Sequence, residues 1–271
     1  MAPHWSSLAS HLSFLVLLSL SLVRAEKPVG LNLNLISETE TIIPGKPFTV
    51  GLHLRHDKGY HTYWKNPGIV GMATSLTWDL PQGFTASEIQ WPFPERCLMA
   101  GHSCHGYERE VTLLVTITPP QILPQEEITL KTSAQWMCCA KSCHPGFQNF
   151  SLNLKVGEKT KTLPKNRALI ETARQQLPQP KTFNDLSLKS ASDAPTIQLT
   201  FPAHGQNKAY FFSSDGQIST DQKQILAVNE DGALTLTAPR SDYSPEGKKT
   251  LPGILLLGNQ YYKIAPAYPV R

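Results

Sequence analysis

The sequence predicts an all-β protein: a two-sheet sandwich, then a helical linker, then a second and smaller β domain. Three observations carry this. Runs such as Gly30 to Leu35 (GLNLNL) and Pro47 to Arg55 (PFTVGLHLR) alternate apolar and polar residues, as strands with one buried face do. The 22 prolines and 17 glycines punctuate short segments throughout the chain, which is the turn density of an all-β protein. One stretch, Pro164 to Leu177, switches to helical spacing. The expected organisation is a leader over residues 1–25, a first β domain over 26–157, a helical linker over 158–182 and a second β domain over 183–271.

Each element follows from local chemistry. Residues 1–25 place an apolar run, Leu12 to Val23, before Val23-Arg24-Ala25, whose small last and third-last residues suit cleavage after Ala25. The run is shorter than the roughly 20 residues that cross a bilayer. A periplasmic or secreted chain is expected, where disulfides persist. Beyond the first two strands, HTYWKNPG at His61 to Gly68 ends in a turn, and strands follow at Ser75–Asp79, Val111–Thr118, Ile128–Met137 and Asn149–Val156. In PKNRALIETARQQL, Ala168, Ile170, Ala173 and Leu177 recur near helical spacing, with Pro164 at the start and Pro178 just past the end. After it, TIQLTF, KAYFFSSDG, ALTLTAP and GILLLGNQYYKI read as strands with Asp-Gly or Gly-Asn turns, and this part has no cysteine.

Composition excludes several classes. Hydrophobic residues make up 40% of the chain, enough for packed cores without disulfide support. The net charge of +4 is spread without runs, which argues against nucleic acid as a partner and against a polybasic membrane patch. No Ser/His/Asp order, phosphate loop or paired carboxylates stand out, so a hydrolase has no support.

The chemistry concentrates in WMCCAKSCHPG, Trp136 to Gly146, which holds three of the five cysteines. Counting by twos along ITLKTSAQWM puts Ile128, Leu130, Thr132, Ala134 and Trp136 on one face, with Cys138 next on it as a buried core residue. Cys139 points the other way, where the strand is expected to give out, and His144-Pro145-Gly146 is expected to stop the segment. Cys143 follows after three residues, a spacing that reaches disulfide distance only if the chain curls. So small a loop is a poor staple. Lys141 and His144 beside it favour a thiolate, and the combination fits exchange better than stapling, with either thiol free to attack.

YHTYWKNPG, GFTASEIQWPFPER, GYEREVTLLVTITPP and WMCCAKSCHPG resemble successive signatures of the N-terminal periplasmic domain of the thiol:disulfide interchange protein DsbD, in the ScsB-like branch associated with copper sensitivity. The resemblance implies an immunoglobulin-like sandwich whose pair, here Cys139 and Cys143, takes electrons from a membrane relay and passes them to periplasmic thioredoxin-like proteins, as a component of a protein-disulfide reductase. The membrane relay and thioredoxin-like domains of full-length members are expected in trans. A loop covering the pair maps onto Met99 to Gly106, which contains His102 and His105. No cofactor is required by this reading.

ERCLMAGHSCHGYE adds Cys97 and Cys104, with His102 and His105 between strands. A loop disulfide between the two cysteines is the simpler use. The alternative is a metal-tolerance module binding copper or zinc through Cys97, Cys104, His102 and His105, which are soft or borderline ligands, though the spacing is that of no standard zinc finger. His61, Tyr63 and Trp64 lie where they could line the cysteine site, but aromatics beside a turn are more often core.

Overall fold

A computed structural model describes residues 27–269; the leader over 1–25 lies outside the described residues. Strands dominate. The N-terminal part comprises β1 (Leu31–Ser37), β2 (Thr39–Ile42), β3 (Phe48–His56), β4 (Thr62–Tyr63), β5 (Ser75–Asp79), β6 (Thr85–Ala86), β7 (Glu95–Met99), β8 (His102–Tyr107), β9 (Glu110–Thr118), β10 (Glu127–Cys139), β11 (Cys143–Val156) and β12 (Lys161–Thr162). They form an immunoglobulin-like sandwich. One sheet runs β1-β3-β9-β6 and the other β12-β2-β11-β10-β5, while β4-β8-β7 make a small third sheet.

The alternation seen in the sequence is what fills the sandwich. Along β10 the residues from Ile128 to Cys138 at every second position are buried: Ile128 and Leu130 with Val50 of β3 and Val115 and Ile117 of β9, and Ala134, Trp136 and Cys138 with Leu52 and Leu54 of β3 and Leu113 of β9. Burial of such side chains contributes about 1.5–3 kcal/mol each. In β9, however, Val111 to Val115 are buried without alternation. The reason is the helix α1 (Pro164–Gln175), whose Ile170 and Ala173 pack on Ile36 and Leu114, covering the sheet's outer face. The linker is thus docked. Arg174 fixes it through the Glu38 carboxylate and the Thr49 hydroxyl, each 2.6 Å away.

The C-terminal part holds β13 (Gln179–Pro180), β14 (Ser187–Leu188), β15 (Thr196–Phe201), β16 (Ala209–Ser213), β17 (Ile225–Val228), β18 (Leu234–Pro239), β19 (Gly253–Leu257) and β20 (Gln260–Ile264). Two four-stranded sheets, β13-β20-β19-β16 and β14-β15-β18-β17, enclose a core of Leu199, Phe201, Phe211, Leu234 and Leu255. β19 and β20 join through Gly258 at φ +63°, the left-handed conformation that glycine adopts without strain. Phe212 and Ile254 leave this core and pack with Trp64 and Tyr107 of the N-terminal part, and the rings of Phe93 and Tyr261 stack 3.8 Å apart. No helix among the described residues is long and apolar enough to cross a membrane.

Candidate functional site

The three clustered cysteines sit at the end of the longest hairpin. β10 does not give out before Cys139; it pairs with β11 through Trp136 with Gly146, Met137 with Pro145, Cys138 with His144 and Cys139 with Cys143. Pro145 therefore lies inside a strand that the sequence expectation ended there. It is tolerated because β11's other neighbour, β2, pairs only with Lys155 and Val156, so no ladder bond is missing at Pro145. Gly146 is required for a different reason. A Cβ there would lie 2.3 Å from the indole of Trp136, which crosses the hairpin at that point.

Cys139 and Cys143 close the hairpin as a disulfide, with Cα atoms 4.1 Å apart. The two sulfurs differ in access. Cys139 is fully buried and is pinned by two backbone hydrogen bonds to His61, its N–H to the His61 carbonyl and the reverse, each 2.9 Å. Cys143 is half-exposed and follows the exposed turn residues Lys141 and Ser142. Cys138 points into the sandwich core, fully buried, as its strand phase predicts.

The group that meets the exposed sulfur is neither of the flanking side chains, Lys141 and His144. Lys141 is exposed in the turn, and His144 hydrogen-bonds the Ser142 hydroxyl at 3.0 Å. The Tyr63 hydroxyl instead lies 3.8 Å from Cys143 Sγ, with His61 Nε2 3.2 Å behind it. Burial, and next the neighbouring Cys104 and Cys97 thiols, push the Tyr63 phenol well above its ordinary range, so it stays a neutral O–H donor. Tyr63 and His61 are buried and also line the site, whereas Trp64 is turned away from it, against His105 and Phe212. The position of Tyr63 and His61 next to a turn hid the second role.

The segment expected as a covering loop is a hairpin. β7 and β8 pair directly and turn through Ala100 and Gly101, both at positive φ (51° and 86°), the geometry of a two-residue hairpin turn. Its inner face, Cys97, Met99 and Cys104, packs in one cluster with Tyr63 and Cys139. Besides pairing with β4, the hairpin reaches the C-terminal part. His102 Nδ1 and the Ser103 N–H meet the Asp221 carboxylate at 2.9 Å each, and His105 Nε2 lies 3.1 Å from the Tyr210 hydroxyl. Hence His102 and His105 do not join Cys97 and Cys104 in a ligand set: one is drawn to Asp221, and the other occupies the opposite strand face against Phe212. Burial, with the Arg96 cation nearby, holds His105 down to about 3, so it is neutral. Cys97 and Cys104 are free thiols with sulfurs 2.9 Å apart. Their shared hydrogen bond favours ionisation of Cys104, which His61 also assists, and opposes that of Cys97.

Fold and site together define an immunoglobulin-like sandwich that carries a half-accessible disulfide at the tip of a hairpin, held against a second β unit. Residues 34–155 match the family model of the N-terminal domain of the thiol:disulfide interchange protein DsbD, and they form a DsbD-like N-terminal domain. Among solved structures, the N-terminal periplasmic domain of ScsB from Proteus mirabilis superposes with a TM-score of 0.67 at 15% identity, covering 89% of this chain and 95% of that one. The likeness thus extends through the second β unit. No curated protein matches the sequence.

Proposed function

We propose that this protein is an extracytoplasmic thiol–disulfide exchange module that relays two electrons at a time through Cys139 and Cys143, from a membrane redox partner to thioredoxin-like proteins outside the cytoplasm. The observation that carries the reading is the asymmetry of the pair: Cys143 is half-exposed, while Cys139 is buried and tied to His61. That division suits attack at one sulfur and resolution by the other.

Loading starts with a donor thiolate attacking Cys143 Sγ. The Cys139–Cys143 bond breaks, Cys139 leaves as a thiolate and takes a proton, and a mixed disulfide joins donor and Cys143. The donor's second thiol then resolves the bond, leaving both cysteines reduced and the donor oxidised. Delivery reverses the order. The Cys143 thiolate attacks an acceptor disulfide, and the deprotonated Cys139 attacks Cys143 Sγ, releasing the acceptor as a dithiol and restoring the disulfide. The Tyr63 O–H, 3.8 Å away, is the donor placed to stabilise a Cys143 thiolate.

Trapping tests the order of events. Cys139→Ser keeps the accessible sulfur and removes the resolving one, so it accumulates a mixed disulfide with a thioredoxin-like protein in an extracytoplasmic extract. Cys143→Ser accumulates none. Equal trapping by both variants, or by neither, contradicts the assignment.

A further inference from the structure

Two thiols and an imidazole meet behind the exchange pair, and no step of disulfide exchange uses them. Cys97 and Cys104 face each other across the β7–β8 hairpin with sulfurs 2.9 Å apart, and His61 Nε2 is 4.0 Å from Cys104 Sγ. The donor atoms of His61, Cys97 and Cys104 all lie within 4.8 Å of one another. The three residues are buried, at 3%, 3% and 0% exposure.

The surroundings are built around these donors. A Cβ at Gly106 would come within 3.2 Å of Cys97 Sγ and 2.2 Å of the Thr62 carbonyl, so glycine keeps room beside the sulfur while β8 lies close on β4. The Tyr63 hydroxyl lies 3.2 Å from His61 Nε2 and 3.8 Å from Cys143 Sγ; with its O–H turned to Cys143 and the ring proton of His61 on Nδ1, the Nε2 lone pair is open to a cation. The Met99 thioether packs in the same cluster, and no carboxylate joins the donor set.

We infer that Cys97 Sγ, Cys104 Sγ and His61 Nε2 form a binding site for a soft d10 cation, monovalent copper. The donor types exclude calcium and magnesium, which take oxygen ligands, and thiolates select soft ions. The number of donors decides between copper and zinc. Zinc takes four protein ligands in a closed site, or three and a water in an open one, whereas monovalent copper is satisfied by three, and this cluster offers three on residues no more than 3% exposed. Binding involves no electron transfer: the cation enters, and each thiol that becomes a ligand releases one proton to solvent. Joined to each other as a disulfide, the same two sulfurs supply no thiolate, so the site exists only while the hairpin is reduced.

The test separates this site from the exchange pair. Full-length Cys139→Ser/Cys143→Ser protein, reduced without oxygen, is titrated with monovalent copper against a chromophoric copper(I) chelator. The expected result is one ion per chain. Adding Cys97→Ser or Cys104→Ser weakens binding by at least about 100-fold, the upper range for losing even an outer-shell partner; Cys138→Ser leaves it unchanged. X-ray absorption of the copper-loaded chain, with both hairpin cysteines intact, reads sulfur and nitrogen neighbours directly and does not depend on the variants folding. Absence of binding, binding unaffected by His61→Gln, or tighter binding of zinc than of copper(I) overturns the proposal. Because both exchange sulfurs are absent from the titrated protein, these outcomes leave the electron-relay reading untouched, and failure of that reading leaves this one standing.

Discussion

His105 makes the junction between the two β units sensitive to acid. Its ring is 1% exposed, meets the Tyr210 hydroxyl, and is held down to about 3 by burial and by the Arg96 cation beside it. In the unfolded chain an imidazole titrates near 6.5. A histidine depressed in the folded state contributes its full stability above the unfolded value and loses it progressively as pH falls toward the folded one. At pH 5 the unfolded imidazole gains RT ln(1 + 10^1.5), about 2 kcal/mol, from the proton it binds, whereas the folded ring gains almost nothing. At pH 7 the same term is only about 0.2 kcal/mol. Urea unfolding followed by tryptophan fluorescence at pH 7 and pH 5 measures the difference. His105→Gln keeps an amide to meet Tyr210 but does not titrate, so it loses about 2 kcal/mol less than the unaltered protein between the two pH values. His56, buried and lowered to about 4, supplies a similar dependence that remains in the variant. An identical pH dependence in both proteins would refute the reasoning.

Three further outcomes are expected. Gly146→Ala drives a methyl group into the Trp136 ring and destabilises the hairpin by about 1–3 kcal/mol, seen as a lower denaturation midpoint in urea with the slope unchanged. Tyr63→Phe removes the hydroxyl beside Cys143 and slows alkylation of that thiol in the reduced protein by up to about tenfold at neutral pH, the most that one hydrogen bond of about 1.4 kcal/mol provides. Asp221→Ala releases His102 and Ser103, and hydrogen exchange at Glu95 to Tyr107 speeds up severalfold while β10 keeps its protection.

Local chemistry made much of the sandwich legible. The twofold alternation from Ile128 onward placed Cys138 in the core and turned Cys139 to the other face, because a strand's side-chain period survives any tertiary context. The Pro-bounded helical run was equally readable, but its docking on Ile36 and Leu114 was not, since that depends on a sheet face whose own alternation the helix overrides. Pro145 and Gly146 read as a stop and are instead part of β11. Pro145 is permitted by a missing partner on one side, and Gly146 is demanded by the Trp136 ring across the hairpin, both facts about pairing that a linear reading does not show. The pairing of His61 with Cys104 was hidden for the same reason. The two lie 43 positions apart and meet only because β4 pairs with β8. His102 and His105, close to the cysteines in sequence, are taken instead by Asp221 and Tyr210 of the second β unit.

The decisive quantity for the electron relay is the midpoint at which Cys139 and Cys143 are half reduced in glutathione buffers of graded composition, read by peptide-resolved alkylation so that the other three thiols do not enter. A pair that trades electrons with thioredoxin-like proteins gives a value between about −120 and −270 mV, the range spanned by known exchange proteins. A value below about −300 mV marks a bond built to stay closed, and the relay would then have to be abandoned.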